Sequence, residues 1–250
     1  MTTNSNSRLQ PTALTSTTLP SFLQNILDTH TTPTNLIVGS SEAVFVQELY
    51  ASTELEKTQQ AHEAETEGLD PAKAHRIASR NHPLAIPTVH QIFTSRTVNM
   101  TFCETLAQLQ AQLAIHGISK TYISEKLEGS VVPTLALLNS IHLHRGTCSF
   151  SAQGLSRTLA SAVEAAHRGR QKLVLVEYPS HVPTTTNEDM DTDIGDEEML
   201  DTTVEQTKDI WEEDVAILNV TTKSFGAGER GWVGRTVKVR KVIERWCIFD

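Results

Sequence analysis

The turn Gly39-Ser40-Ser41 stands where an apolar run ends and a helical pattern begins. An α/β nucleotide-binding fold cradles phosphate at such a turn, because backbone N–H groups and a helix N-terminus converge there. Hydrolysis would further need GxxxxGK followed by Ser or Thr, whose lysine reaches the terminal phosphates and whose hydroxyl holds magnesium. The lysine and the glycine spacing are missing, and Glu42 would repel a phosphate. A literal GxGxxG runs from Gly226 to Gly231, but it precedes a strand-like segment instead of opening a helix. A glycine turn in a hairpin is the reading it supports.

Other chemistry-bearing residues are scattered. His142 and His144 could share a strand face, yet no nearby carboxylate or cysteine completes a metal site. Cys103, Cys148 and Cys247 form neither a CxxC pair nor a zinc spacing, so buried free thiols in a reducing compartment are expected. No GxSxG, HExxH or paired-carboxylate signature is present, and no cofactor is expected. From Lys223 to Arg245 there are seven bases against Glu229 and Glu244. Lys223, Arg230, Trp232, Arg235, Lys238, Arg240 and Lys241 are the candidate DNA-binding residues. In an extended strand Lys238 and Arg240 project from one face and could track a phosphate backbone, with Trp232 free to stack on a base. An edge strand guarded by its charges is the equally weighted alternative.

The net charge of −9 argues against nucleic acid only as an average. Between Glu188 and Asp214 lie 13 acidic residues and one base, Lys208, which leaves 20 bases against 17 acids elsewhere. An acidic linker on a faintly basic domain is the better description. It could shield the basic surface or attract a basic partner, and a merely solvating linker is the simplest reading. No run approaches the roughly 18 apolar residues of a membrane span, and residues 1–27 lack the apolar core of a signal peptide.

The elements that must position these residues follow from periodicity. Residues 1–32 read as a disordered arm with a short helix over Ser21 to Leu27. Residues 33–250 read as one α/β domain with a polar helical insertion at about 54–82 and a disordered acidic loop at about 183–214. Asp70-Pro71 opens a short helix to about Ser79. Asn35 to Val38, Val98 to Phe102 and Lys172 to Glu177 are strand-like, while Thr134 to His144 allows strand or buried helix. Glu104 to His116, stopped by Gly117, and Ser151 to Arg168 are helical. Strands alternating with helices imply a mostly parallel sheet covered by helices. Val215 to Val220, Trp232 to Arg240 and Val242 to Phe249 look like antiparallel edge strands, with a bulge near Arg240-Lys241 reconciling their parity.

The order LIVGSS, VNMTFCETLAQLQAQLAIHG, LALLNSIHLH, SAQGLSRTLASAVEAAHRGRQKLVLVE and GRTVKVRKVIERWCIF resembles a degenerate RecA-type core. It is similar to recombinase paralogues without an ATP site, such as fungal Shu-complex subunits, over roughly residues 33–250. Gly39, Ser40 and Ser41 would then be a vestigial phosphate turn, and Asn139 stands where that family ends its second apolar run in a Walker B aspartate. The resemblance implies a non-catalytic nuclear protein that pairs with another RecA-like subunit, binds single-stranded or forked DNA and supports homologous recombination. Two rival expectations are an assembly subunit of another RecA-like complex such as Elongator, and a small α/β enzyme with a polar pocket near Ser40, Cys103 and Glu177.

Overall fold

The computed structural model describes residues 9–15, 17–29, 33–66, 70, 73, 84, 86–118, 132–179, 209–217 and 235–250. Its elements are β1 (Thr12–Leu14), α1 (Leu19–Thr29), β2 (Thr34–Val38), α2 (Glu42–Thr66), α3 (Val89–Ser95), β3 (Val98–Phe102) and α4 (Leu106–Ile115). They continue with β4 (Thr134–Leu138), α5 (Ala152–Arg168), β5 (Lys172–Val176), β6 (Asp214–Ala216), β7 (Thr236–Lys238), α6 (Val239–Ile243) and β8 (Ile248–Phe249). Single 3-10 turns occupy His142–His144 and Ile210–Glu212.

Continuous apolar runs make strands buried on both faces, and the alternation of side chains assigns them to two cores. Leu135 and Leu137 of β4, with Leu173 and Leu175 of β5, join Leu109 and Leu113 of α4 and Leu155, Leu159 and Ala162 of α5. Ala136, Leu138, Val174 and Val176 face the other way, toward Phe22 and Ile26 of α1 and Phe45 of α2. The six-stranded sheet has the order β3-β2-β4-β5-β1-β8 with every pairing parallel. A separate antiparallel pair, β6-β7, completes the expected α/β architecture of a mostly parallel sheet flanked by helices, with antiparallel strands toward the C-terminus.

Helix ends are set locally. Thr105 accepts the N–H of Gln108 while Gln108 reaches back, a capping box for α4, and Thr88 and Gln91 do the same for α3. Gly117, at φ +82, carries the chain out of α4 in the left-handed region expected of a glycine stop.

Several expectations are corrected. The N-terminal arm is not featureless: Thr12–Leu14 is an interior strand between β5 and β8, Ala13 is fully buried, and α1 buries Leu19, Pro20, Phe22 and Ile26. Three residues among threonines carry no periodic signal, so only the sheet reveals them. The polar insertion begins as an unbroken continuation of α2 to Thr66, in which Ala61 is buried. Most of its remainder, including the helix expected after Asp70, lies outside the described residues.

The acidic loop ends earlier than expected, because Asp209 to Asp214 is folded. Asp209 caps the 3-10 turn through the N–H of Trp211, and Trp211 is buried edge-on against Phe249 with ring centroids 5.2 Å apart. Residues 239–243 are helix where strand and bulge were expected. Val239, Val242, Ile243 and Cys247 are buried, and their spacing is helical, so the clash of parities across Arg240-Lys241 marked a helix. β8 then pairs parallel with β1, so the chain re-enters the sheet as a parallel edge strand.

Trp211→Ala is expected to cost about 3–5 kcal/mol of unfolding free energy by denaturant titration, as for other buried aromatics. A loss below about 1 kcal/mol would show that residues 209–214 are not part of the core.

Candidate functional site

In a parallel α/β sheet, ligands meet the carboxyl ends of the strands, where turns present backbone N–H groups. Here that rim is made by the turns after β1, β2, β3, β4 and β5. The turn after β2 holds Gly39, Ser40 and Ser41, the residues expected to be a vestigial phosphate turn. The Gly39 N–H donates to the Leu138 carbonyl at 2.7 Å. A Cβ at Gly39 would lie 2.3 Å from the Asn139 oxygen and 3.1 Å from Leu143 Cγ, so glycine is required by close approach to β4. The Ser40 hydroxyl donates to the Ser41 carbonyl, and the Ser41 hydroxyl accepts the Val44 N–H at the start of α2. The Gly39 N–H and the Ser40 hydroxyl are thus spent on the protein's own carbonyls.

Because β1 lies inside the sheet, the first βα turn of the fold is at Thr15–Thr18, not at Gly39. Thr15 donates to the Asp250 carbonyl through both its N–H and its hydroxyl. Thr18 caps α1 by accepting the Ser21 N–H, and its own hydroxyl donates to the Glu56 carboxylate on α2. Glu56 therefore places negative charge beside a helix N-terminus, where an anion is favoured. Sequence reasoning missed this turn because β1 was invisible, although a hydroxyl followed two residues on by Pro20 is a helix-start signal.

A second carboxylate occupies the rim at β4 and β5. Glu177, just past β5, is 6% exposed. Its Oε1 accepts the Ile141 N–H at 2.8 Å and the Ser140 hydroxyl at 3.3 Å, and the His142 backbone N–H adds to this set. Burial nevertheless dominates and pushes its pKa from 4.5 to about 8, against the opposing pull of these hydrogen bonds and of the Arg145 charge. Asn139, in the Walker B position of the resemblance, sits at φ 50 and accepts the Tyr178 N–H at 3.0 Å on its Oδ1. The amide is spent on holding β5's exit. Tyr178 is buried, and desolvation followed by the charges of Glu48 and Glu177 pushes its phenol well above the usual range.

The histidines separate. His144 is buried, its Nδ1 lies 3.1 Å from the Ser149 carbonyl, and burial lowers its pKa, while His142 is exposed, with its pKa lowered by partial desolvation and then by the Arg145 charge. Among the described residues no group of three or more His, Cys, Asp or Glu converges. Cys103 and Cys247 are buried with raised pKa values, and Cys148 is exposed. Of the residues expected to line a polar pocket with Ser40, Cys103 lies in the apolar core and Glu177 is hydrogen-bonded to Ser140 and Ile141. An open cavity of about 210 Å³ at Gln10, Thr12, Lys172 and Ile248 lies instead at the amino ends of the strands.

The basic candidates are only partly brought together. Lys223, Arg230 and Trp232 lie outside the described residues. Lys238 donates to the Glu212 carbonyl and pairs with Asp214 at 3.0 Å. Arg240 and Lys241 both pair with Glu244, and Arg240 also lies over the Phe249 ring at 4.8 Å. Because Arg240 is helical, it does not share a strand face with Lys238, which corrects the phosphate-tracking geometry. Arg235 and Arg245 are exposed and without a carboxylate partner among the described residues.

No family model matches the chain, and no curated protein matches it. Among solved structures, a DnaB-like replicative helicase, described with its interactions with primase, is similar at 10% identity and a TM-score of 0.34. The match covers 70% of this chain and spans 40% of the helicase chain. No helix among the described residues is long and apolar enough to cross a membrane.

The Glu177 network sets a pH signature. Between pH 4.5, the unfolded value, and about 8, only the folded state holds this proton. The stabilising contribution is thus complete below the lower value and lost as pH rises through the upper one. Glu177→Gln is expected to remove that part of the pH dependence, seen as a wild-type-minus-variant difference of up to about 1.4 kcal/mol per pH unit in denaturant titrations. Parallel wild-type and variant curves from pH 5 to 8 would refute the buried-acid assignment.

Proposed function

We propose that this chain is a non-catalytic RecA-like accessory subunit that supports homologous recombination and DNA repair in the nucleus, acting through assembly with another RecA-like subunit and weak DNA contact. The observation that carries the non-catalytic part is the occupation of the carboxyl rim by the chain's own groups. Glu56 stands at the N-terminus of α1, Glu177 takes the N–H groups after β4, and the Gly39 turn is closed by Asn139. A nucleotide phosphate would have to displace the neutral Glu177 carboxyl group and the Glu56 carboxylate, and the Gly39 turn offers it no lysine.

DNA contact on this reading is weak, because Lys238 is paired with Asp214 and Arg240 and Lys241 share Glu244, which offsets two of their three charges. Arg235 is the described candidate base left to meet phosphate. Purified protein is expected to show no saturable binding of magnesium-ATP in equilibrium dialysis. Its affinity for single-stranded and forked DNA is expected to be low and salt-sensitive, with Arg235→Glu weakening it more than Lys238→Glu. Stoichiometric ATP binding would overturn the non-catalytic reading, and affinity indifferent to salt and to Arg235→Glu would remove DNA. Tagged protein purified from its host is expected to bring down recombination proteins by mass spectrometry; recovery of a tRNA-modifying assembly would favour the Elongator-like alternative.

A further inference from the structure

β3 is the outer strand of the sheet, hydrogen-bonded to β2 on one side only. The bonds that flank it show which residues face inward: Thr34 donates to the Thr97 carbonyl and Cys103 donates to the Val38 carbonyl. N–H and C=O of one strand residue point to the same side, so residues 97, 99, 101 and 103 serve β2. The N–H and C=O groups of Val98, Met100 and Phe102 therefore point out of the sheet edge, with no hydrogen-bond partner among the described residues.

Edge strands normally carry a lysine, a proline or a bulge that forbids pairing with another chain. β3 has none, and across residues 86–103 the one Lys, Arg, Asp or Glu is Arg96. Its outer side is apolar instead. Val98 and Phe102 pack toward the α1–α2 core, and Met100, on the same face between them, is 41% exposed. α3, which leads directly into the strand, exposes Val89, Ile92 and Phe93.

We propose that β3 is a homodimerisation edge, pairing antiparallel with β3 of a second copy about a twofold axis at Met100. The strand is self-complementary in this register. Val98 falls opposite Phe102 of the second copy, Met100 opposite Met100, and Phe102 opposite Val98. All three are outward-facing residues, so each pair exchanges both hydrogen bonds and no open group is left over. Residues directly opposite share a face, so the two copies join Val98, Met100 and Phe102 into one apolar row. The near absence of charge removes the repulsion that an acidic chain would otherwise bring to its own image. The proposal does not depend on a recombination role, since it concerns the chain alone.

Sedimentation equilibrium of the purified full chain over a concentration series is expected to show a monomer–dimer equilibrium. Met100→Lys places two like charges face to face and is expected to weaken dimerisation at least about tenfold. Met100→Pro removes an N–H that β2 does not use and is expected to act likewise, with thermal melting confirming that each variant is folded. A positive test is Met100→Cys in a Cys148→Ser background, which leaves Cys103 and Cys247 buried. A hydrogen-bonded antiparallel pair holds its Cα atoms about 5.5 Å apart, within disulfide reach, so mild oxidation is expected to give a covalent dimer. A monomer at every concentration, a dimer indifferent to folded Met100→Lys, or no crosslink at position 100 would each overturn the proposal. None of these outcomes touches the nucleotide or DNA readouts.

Discussion

The burial of the Glu177 carboxyl at the exit of β5 is the constraint around which the carboxyl rim is arranged. A carboxyl group removed from water is costly unless it is hydrogen-bonded or protonated, and here both compensations operate. The Ile141 and His142 N–H groups and the Ser140 hydroxyl close over it, which fixes the 3-10 turn at His142–His144. That turn in turn brings Leu143 against Gly39 and lets Arg145 reach Glu213 at 2.6 Å. One buried acid thus connects the exits of β2, β4 and β5 to the folded end of the acidic segment.

The same arrangement sets the chemistry of the rim. Backbone N–H groups at strand exits and helix starts are anion sites in any parallel α/β sheet. In this chain two such places are taken from within: the neutral Glu177 carboxyl group accepts the Ile141 N–H after β4, and the Glu56 carboxylate accepts the Thr18 hydroxyl beside α1. At the β3 edge of the sheet the outward backbone groups have no partner among the described residues, and the side chains are uncharged.

Much of the architecture was legible in the chain. The runs at Asn35 to Val38, Thr134 to Leu138 and Lys172 to Val176 are apolar at successive positions because both faces are covered, and they are strands. The period of Leu155, Leu159, Ala162 and Ala166 marked α5. β1 was not legible, because a three-residue strand stabilised by neighbours on both sides needs no periodicity of its own. The misplacement of the first βα turn followed from that single omission. The helix at Val239–Ile243 was legible in principle, but its β-branched residues and adjoining valines imitate a strand when parity alone is counted.

Composition, apolar runs and capping residues determined by themselves that this is an α/β chain with a locally acidic segment, and that the lysine and glycines of a hydrolytic phosphate loop are missing at Gly39. Those properties depend on side-chain identity and near-neighbour spacing. Only the tertiary structure decided that β1 lies between β5 and β8, that Glu177 and Glu56 stand at the carboxyl rim, that Lys238 and Arg240 belong to different carboxylates, and that β3 is an edge strand. The physical reason is common to all four: each is a pairing between residues far apart in the chain, set by strand order and burial, and spacing within one segment carries no information about it.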